Sequence, residues 1–161
     1  MAIRTLVNIF LVPALLLCFA GDVHACFGPK LFVAAGQSPE EQILYALVTL
    51  YVEEKTGVES NRVDVGTENP LNLIRDDKAD LVFAGSAEQG ENVVFLLEGL
   101  PVLVTGKRPV EDLQFTTVLL ALEKLQKAVS RDEVISLIAE VEKGASAMAV
   151  VRKFFMQNRL I

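Results

Sequence analysis

Three short apolar segments of the chain are each followed by a glycine and a nearby hydroxyl side chain, a combination suited to holding a small polar ligand. In open α/β sheets, ligands bind beyond the carboxyl ends of the strands, where glycine admits a close approach and helix N-termini offer N–H donors. The pattern predicts an edge that binds a small polar or anionic solute, with the candidate residues Gln37, Ser38, Thr67, Gly85 and Ser86.

The same residue types have a second interpretation that needs no ligand. Glycines make turns and hydroxyl side chains cap helices, so turn chemistry alone accounts for them. The segment 85–90 lacks the Gly-Lys-Ser/Thr ending of a phosphate-binding loop. Both interpretations stay open at the level of the sequence.

Composition narrows the chemistry available after residue 25. The only histidine, His24, and one of the two cysteines, Cys18, precede that point. A chain without histidine or an internal cysteine cannot build a His-based triad, a cysteine nucleophile or an ordinary zinc site. We therefore expect a protein that is not an enzyme and that needs no metal or cofactor.

The first 25 residues predict export. Arg4 precedes a 15-residue apolar run from Leu6 to Ala20, and small residues lead to Ala25, which is the layout of a secretory signal peptide. The run is shorter than the ~20 apolar residues that a membrane-spanning helix needs. We predict a signal peptide over 1–25, one domain over 26–161, and a location in the periplasm or cell envelope.

Two kinds of processing are open at the end of this segment. Val23 and Ala25 suit an ordinary signal peptidase, which would release a soluble protein. Followed by Cys26, the same residues resemble a bacterial lipoprotein box, although His24 departs from that pattern. Cys26 would be the only cysteine of the mature chain, and a lone thiol in an oxidising compartment is unusual. Cys26 is therefore a candidate lipidation site and the expected route to a membrane.

Charge argues against a nucleic-acid partner. The chain has a formal net charge of −6, and removing residues 1–25 leaves it unchanged because one arginine and one aspartate leave together. An acidic chain without a basic stripe lacks the electrostatic basis for binding phosphates.

The elements that position the candidate edge follow from apolar periodicity and capping chemistry. The segments Lys30–Ala35, 61–65 and 80–84 are predicted strands, each followed by glycine. Between the first two, the segment 38–41 predicts a helix start with Ser38 as N-cap and Glu41 completing a capping box. Thr56-Gly57 ends this helix, and Asn69-Pro70 opens a short one. Alternating strands and helices predict a parallel sheet with right-handed crossovers.

The second half of the chain has a different pattern. The segments 93–97 and 101–105 predict two strands in a hairpin, 106–109 predicts a turn, and helices follow to the end. The segment 130–133 predicts a second capping box, with Ser130 as N-cap and Glu133 three residues later. The helical stripes that we expect to be buried include Phe115, Val118, Leu119, Leu122 and Leu125, and later Met148, Val151, Phe154 and Phe155. The predicted fold class is α/β: a single lobe, mainly parallel sheet flanked by helices, with a helical C-terminus.

Both ends of the mature chain resemble one family. The segments 36–44 and 53–57 are similar to the opening of periplasmic substrate-binding proteins of osmoprotectant (glycine betaine, choline) ABC transporters. The sequence Lys-Ala-Asp-Leu at 78–81 resembles their third-strand entry. Segments of the C-terminal third resemble their closing helices: 122–125, 129–134, 141–144, 150–155 and 159–161. The resemblance implies a periplasmic-binding-protein-like fold.

The chain departs from that family in its middle. Family members have two lobes around a cleft, whereas here only 86–110 joins the matching ends, which implies a one-lobed relative. The family grips a quaternary ammonium with aromatic faces. Here there is no tryptophan, and Pro39 stands where the family carries phenylalanine. The sequence Phe-Ala-Gly-Ser-Ala at 83–87 replaces its Pro-x-Tyr-x-Gly-Thr signature.

Two functions are compatible with these observations. The first is an exported, lipid-anchored or soluble domain that binds a small solute weakly or serves an ABC transport system as an accessory. The second is an envelope interaction module that keeps the fold without the pocket, with the apolar region 93–104 covering a partner or pairing two copies. The partners expected are a small solute, a transporter membrane subunit or a second copy of the chain, and no nucleic acid.

Overall fold

The computed structural model describes residues 28–67 and 69–161, so the predicted signal peptide and the lipidation site Cys26 lie outside the described residues. The described residues form five strands, six α-helices and one 3₁₀ turn. In chain order these are β1 Lys30–Ala35, α1 Pro39–Thr56, β2 Glu59–Asp64, α2 Pro70–Arg75, β3 Leu81–Ala84, β4 Asn92–Phe95, β5 Val102–Thr105, α3 Arg108–Glu111, the 3₁₀ turn Leu113–Phe115, α4 Thr116–Ala128, α5 Arg131–Glu142 and α6 Ala147–Gln157.

Local capping chemistry sets the ends of the longest helix, as the sequence predicts. The Ser38 side chain accepts a hydrogen bond from the backbone N–H of Glu41, and Pro39 follows at the first helical position. At the other end Gly57 has φ of +71° and donates its N–H to the carbonyl of Glu53. A glycine adopts this left-handed conformation without the steric cost of a Cβ, so α1 ends there.

The five strands form one mixed sheet in the order β2-β1-β3-β5-β4. Strands β2, β1 and β3 run parallel, which confirms the crossovers predicted for the first half. Strands β5 and β4 are antiparallel to their neighbours. Two of the four strand pairs are therefore parallel, so the prediction of a mainly parallel sheet is correct only for the first half of the chain. Strands β4 and β5 are joined by a short turn as a hairpin, and β5 inserts between β3 and β4, so both pairs made by β5 are antiparallel.

The two faces of the sheet are covered unequally. Helices α1, α4, α5 and α6 pack on one face and bury the larger hydrophobic cluster, which includes Leu31, Phe83 and Leu103. The short helix α2 packs on the other face with a smaller cluster that includes Val82 and Val104. The fold is therefore α/β with helices on both faces of a mixed sheet.

Some predicted details are wrong. Strand β2 covers 59–64 rather than 61–65, and the helix α3 begins inside the segment predicted as a turn. Met148 is exposed, because the buried stripe of α6 contains Val151, Phe154 and Phe155 and leaves Met148 on the outer side. In the described part of the chain, no helix is long and apolar enough to cross a membrane.

Candidate functional site at the carboxyl edge

The predicted ligand-binding residues all follow the parallel strands at one edge of the sheet. We call this the carboxyl edge: it contains the loops after Ala35, Asp64 and Ala84, where β1, β2 and β3 end. Strand β5 begins at the same edge, because Val102 pairs with Ala84. The opposite edge, where the parallel strands begin and β5 ends, is the amino edge.

The first loop uses its polar groups internally. The Ser38 hydroxyl accepts from the Glu41 N–H at 3.2 Å and donates to the Glu41 Oε2 at 3.1 Å. The carbonyl of Gln37 accepts from the Gln42 side-chain amide at 2.7 Å, and the Gln37 side chain is exposed. The hydroxyl that was predicted to meet a ligand is thus already engaged as a helix cap.

Glu41 fills the N-terminus of α1. Its Oε1 accepts from the Gly36 N–H at 3.1 Å, which differs from the predicted capping box, where the carboxylate would reach the N–H of Ser38. A Cβ built on Gly36 would lie 2.3 Å from the Glu41 Oε2, so the carboxylate rests directly against this glycine. The position at which a helix N-terminus would hold an anion is therefore occupied by a carboxylate of the same chain.

Thr67 stands apart from the other candidate residues. It is exposed and follows Gly66, whose φ of +63° marks a turn after the edge strand β2. Arg62 ties this strand to its neighbour by donating to the carbonyls of Ala35 and Gly36. Thr67, Gln37 and Ser38 do not line the groove described next.

Gly85 and Ser86 line an open groove of about 740 Å³ at the carboxyl edge. Its other wall is the β4–β5 turn, which contributes the carboxylate-bearing Glu98 and the apolar side chains of Leu96 and Leu100. A Cβ built on Gly85 meets no atom within 4 Å, so there is open space beside this glycine. The structure thus brings two of the five predicted residues together, and it adds a wall that the sequence did not predict.

The wall is held from behind by the C-terminal helices. Arg131, at the start of α5, donates from Nε to the Glu98 carbonyl at 2.8 Å. The Gln126 side chain on α4 accepts from the Leu96 N–H at 2.7 Å and donates to the Leu96 carbonyl. Since these contacts join residues about thirty positions apart, only three-dimensional structure reveals them.

The capping box that opens α5 fixes the position of Arg131. Ser130 accepts from the Glu133 N–H, and the Glu133 carboxylate accepts from both the backbone N–H and the hydroxyl of Ser130. These hydrogen bonds favour the ionised carboxylate and hold the pKa of Glu133 below its ordinary value, although burial opposes the shift. This box is confirmed as predicted.

The amino edge carries an ion pair between a buried aspartate and a partly exposed arginine, which sequence reasoning missed. Asp80, 5% exposed, accepts from the Phe32 N–H at 2.7 Å and from the Arg108 guanidinium at two nitrogens, with the Nε contact at 2.6 Å. Hydrogen bonding to Asp80 raises the pKa of Arg108. The guanidinium also lies over the Phe32 and Phe115 rings, 5.4 and 4.7 Å from their centroids.

This pair is a structural tie. Arg108 donates as well to the Lys30 carbonyl at 2.8 Å, so one side chain joins β1, β3 and α3. The Arg108 side chain keeps 40% of its surface exposed, and the pair borders an open pocket at this edge. Within residues 28–67 and 69–161, no group of three or more His, Cys, Asp or Glu side chains is arranged to hold a metal ion.

Comparison with known proteins gave no relative. A scan against family models, a search of curated proteins and a search of solved structures each found no match. The resemblance to osmoprotectant-binding proteins therefore stays a prediction from the sequence, and the functional argument depends on the geometry of the two edges.

Proposed function

We propose that the protein is an exported, lipid-anchored, solute-binding-protein-like domain that holds a small solute weakly in the carboxyl-edge groove, alone or as an accessory of an ABC transport system. The observation that carries the proposal is the groove itself, which lies beyond the carboxyl end of the parallel strand β3. Its volume of about 740 Å³ is within the range of small-molecule sites. Two residues predicted from the sequence, Gly85 and Ser86, line it.

Weak binding follows from the open shape of the site. A ligand-binding cleft usually buries most of its ligand, and it gains affinity from the area removed from water. Here one wall is the β3–β4 loop and the other is the β4–β5 turn, and the space between them opens to solvent. A solute in this groove keeps much of its hydration, so we expect dissociation constants in the micromolar to millimolar range.

The charges favour a neutral or cationic solute over an anionic one. Glu98 is exposed on the wall of the groove, and the Glu41 carboxylate already accepts from the Gly36 N–H just before α1. The chain carries a formal net charge of −6. An anion approaching this edge would meet carboxylates, whereas a cation would gain from the same field.

A thermal-shift titration tests solute binding. Protein purified after export would be titrated with glycine betaine, choline, arginine, serine, glutamate and sulfate. We expect a saturable rise in Tm for at least one neutral or cationic probe, because a ligand that binds only the folded state raises Tm. A flat response to the whole panel would contradict the proposal.

A matched pair of variants places the binding in the groove. Gly85→Leu adds a side chain to the lining of the groove, at a position where a Cβ meets no atom within 4 Å. Gly28→Leu adds the same side chain at another open glycine, outside the groove. The rise in Tm should be lost in the first variant and kept in the second, and equal responses would place the solute elsewhere.

The anchor is tested separately. Cells producing the full-length chain would be given a labelled fatty acid, and Cys26→Ser should abolish both label incorporation and membrane retention. Release of unmodified protein by the wild type would overturn the lipid-anchor part of the proposal, and solute binding would remain to be judged by the titration.

A specific observation favours the interaction module as a second function. The two edge strands differ: β2 carries Glu59, Arg62 and Asp64, whereas β4 carries no charged residue. Charged side chains protect an edge strand from pairing with another chain. Val93, 41% exposed, lies on this uncharged edge. A dimer that forms with rising concentration in sedimentation and is dispersed by Val93→Lys would support this function.

A further inference from the structure

An exposed apolar pair lies at the amino edge of the sheet. Leu113, at the start of the 3₁₀ turn, is 84% exposed, and Val110 on α3 is 52% exposed. Leu113 is the most exposed large apolar side chain in the described part of the chain. The segment that carries the pair follows β5, whose last residue Thr105 pairs with Leu81 at the start of β3. The pair therefore belongs to the edge opposite the groove.

The chain enters the sheet beside this same segment. Lys30 is the first residue of β1, and its carbonyl accepts from Arg108 at 2.8 Å. The Arg108 guanidinium in turn lies 4.7 Å from the centroid of Phe115. Val110 and Leu113 lie between Arg108 and Phe115 in the sequence, so the segment that carries the apolar pair is joined to the start of β1 through Arg108.

The distance from this edge to an acyl chain on Cys26 is limited by covalent geometry. Cys26 precedes Lys30 by four residues. An extended chain covers at most about 3.5 Å per residue, so the lipid attachment point lies within about 14 Å of the start of β1. No comparable tether connects the membrane to the carboxyl edge.

We infer that the amino edge is the membrane-facing surface of the anchored protein. Val110 and Leu113 enter the interfacial zone of the bilayer beside the acyl chain of Cys26, and the groove faces away from the membrane. The inference rests on the lipid anchor of the proposed function. The lipid on Cys26 holds the chain at the bilayer, and buried apolar side chains beside it add to the binding.

Charge identifies the kind of contact. The segment 107–113 contains Lys107 and Arg108 but also Glu111 and Asp112, so its formal net charge is zero. This segment therefore has no net charge that would attract anionic headgroups. The contact is apolar, and vesicles of neutral phosphatidylcholine should be sufficient to show it.

The absence of tryptophan from the chain makes a direct test possible. Leu113→Trp places a single fluorophore at the amino edge, and Leu96→Trp places one at the half-exposed wall of the groove. Each full-length variant would be produced in bacterial cells supplied with a labelled fatty acid. The lipid-modified protein would then be reconstituted on phosphatidylcholine vesicles with and without brominated acyl chains.

The expected result is an asymmetry between the two edges. Brominated lipid should quench the tryptophan of Leu113→Trp at least two-fold and leave that of Leu96→Trp unchanged. Equal quenching in both variants, or quenching of Leu96→Trp alone, would overturn the orientation while label incorporation upheld the anchor. A chain that incorporates no label would overturn the anchor and, with it, this inference.

Discussion

The amino and carboxyl edges of the sheet are built on opposite plans. At the amino edge, a buried carboxylate and a guanidinium that lies against two aromatic rings join three elements that are far apart in sequence. At the carboxyl edge, the side chains of the first loop bond to residues within five positions, and the β3–β4 loop and β4–β5 turn border an open groove. The comparison teaches that one edge holds the strands together and the other leaves room for a ligand.

This division has a physical cause. A buried charge must be paired and hydrogen-bonded, and once it is paired it fixes the elements around it. An edge that binds a ligand needs polar groups without internal hydrogen-bond partners and space that side chains of the protein do not fill. Glu41 is an exception at the carboxyl edge, because its carboxylate accepts a hydrogen bond from the Gly36 N–H, a donor that a ligand could otherwise use.

The largest loss of stability is expected from a substitution at the amino edge. Asp80→Ala leaves the Arg108 guanidinium without its partner and removes the acceptor of the Phe32 N–H. The Phe32 N–H would lose its acceptor while the partly exposed guanidinium can still meet water, so we expect a loss of about 2 kcal/mol in the free energy of unfolding, measured with urea.

The control for this prediction is another aspartate in an ion pair. Asp76 contacts Lys78 at 2.9 Å, with about half of each side chain exposed. Exposed pairs contribute little, so Asp76→Ala should change the free energy of unfolding by no more than about 0.5 kcal/mol. If both variants lost the same amount, the amino edge would not be the stabilising edge.

How far the sequence predicts these edges depends on the range of the interactions. The caps at Ser38 and Ser130 and the strand β1 follow from residues within a few positions of one another, and they were predicted. The pairing of Asp80 with Arg108 spans 28 positions and leaves no periodic signal. An aspartate directly before a fully buried strand was the one available hint, since such a carboxylate needs a partner.

The groove was predicted in part for the same reason. The glycine and hydroxyl after β3 are local features, so Gly85 and Ser86 were candidates. The opposite wall depends on where β5 pairs, and that pairing is non-local. Sequence spacing likewise predicted that Met148 would be buried, because it cannot show which side of α6 the neighbouring helices cover.

The next largest loss of stability is expected at Glu41, whose carboxylate lies against Gly36 at the carboxyl edge. Glu41→Ala removes the acceptor of the Gly36 N–H and of the Ser38 hydroxyl, so we expect a loss of about 1.5 kcal/mol in the free energy of unfolding. Glu40→Ala is the control, because both acids lie in the first turn of α1 and share its dipole interaction.

The same variant also tests why the wild-type edge disfavours anions. Without the carboxylate, the Gly36 N–H can donate to an anion. Sulfate should therefore raise the Tm of Glu41→Ala more than that of the wild type. If sulfate raised both Tm values equally, the carboxylate would not be what closes this position.

A smaller, pH-dependent loss of stability is expected at the start of α5, the helix that holds the wall of the groove. Ser130→Ala removes the N-cap of α5, at a cost of about 1 kcal/mol at pH 7. The folded-state pKa of Glu133 lies below its unfolded value because of Ser130, so this stabilisation is present above the unfolded pKa and is lost as the pH falls through the folded pKa.

The measurement is urea unfolding of wild type and Ser130→Ala from pH 7 down to about pH 3, a range that covers carboxylate titration. The difference between the two should narrow as Glu133 is protonated. Ser136→Ala is the control, since its hydroxyl donates to the Asp132 carbonyl and contacts no carboxylate. A difference that stays constant with pH would mean that the Ser130–Glu133 bond does not depend on charge.

The smallest change in stability is expected from the variant with the largest effect on binding. Gly85→Leu introduces a side chain into open space, and Gly85 has no positive φ that would strain the substitution. The free energy of unfolding should therefore stay within about 0.5 kcal/mol of the wild type, although the groove is filled. A loss as large as that of Asp80→Ala would mean that the β3–β4 loop holds the fold together. In that case the two edges would share the stabilising role, and the groove could not be assigned to binding by this variant.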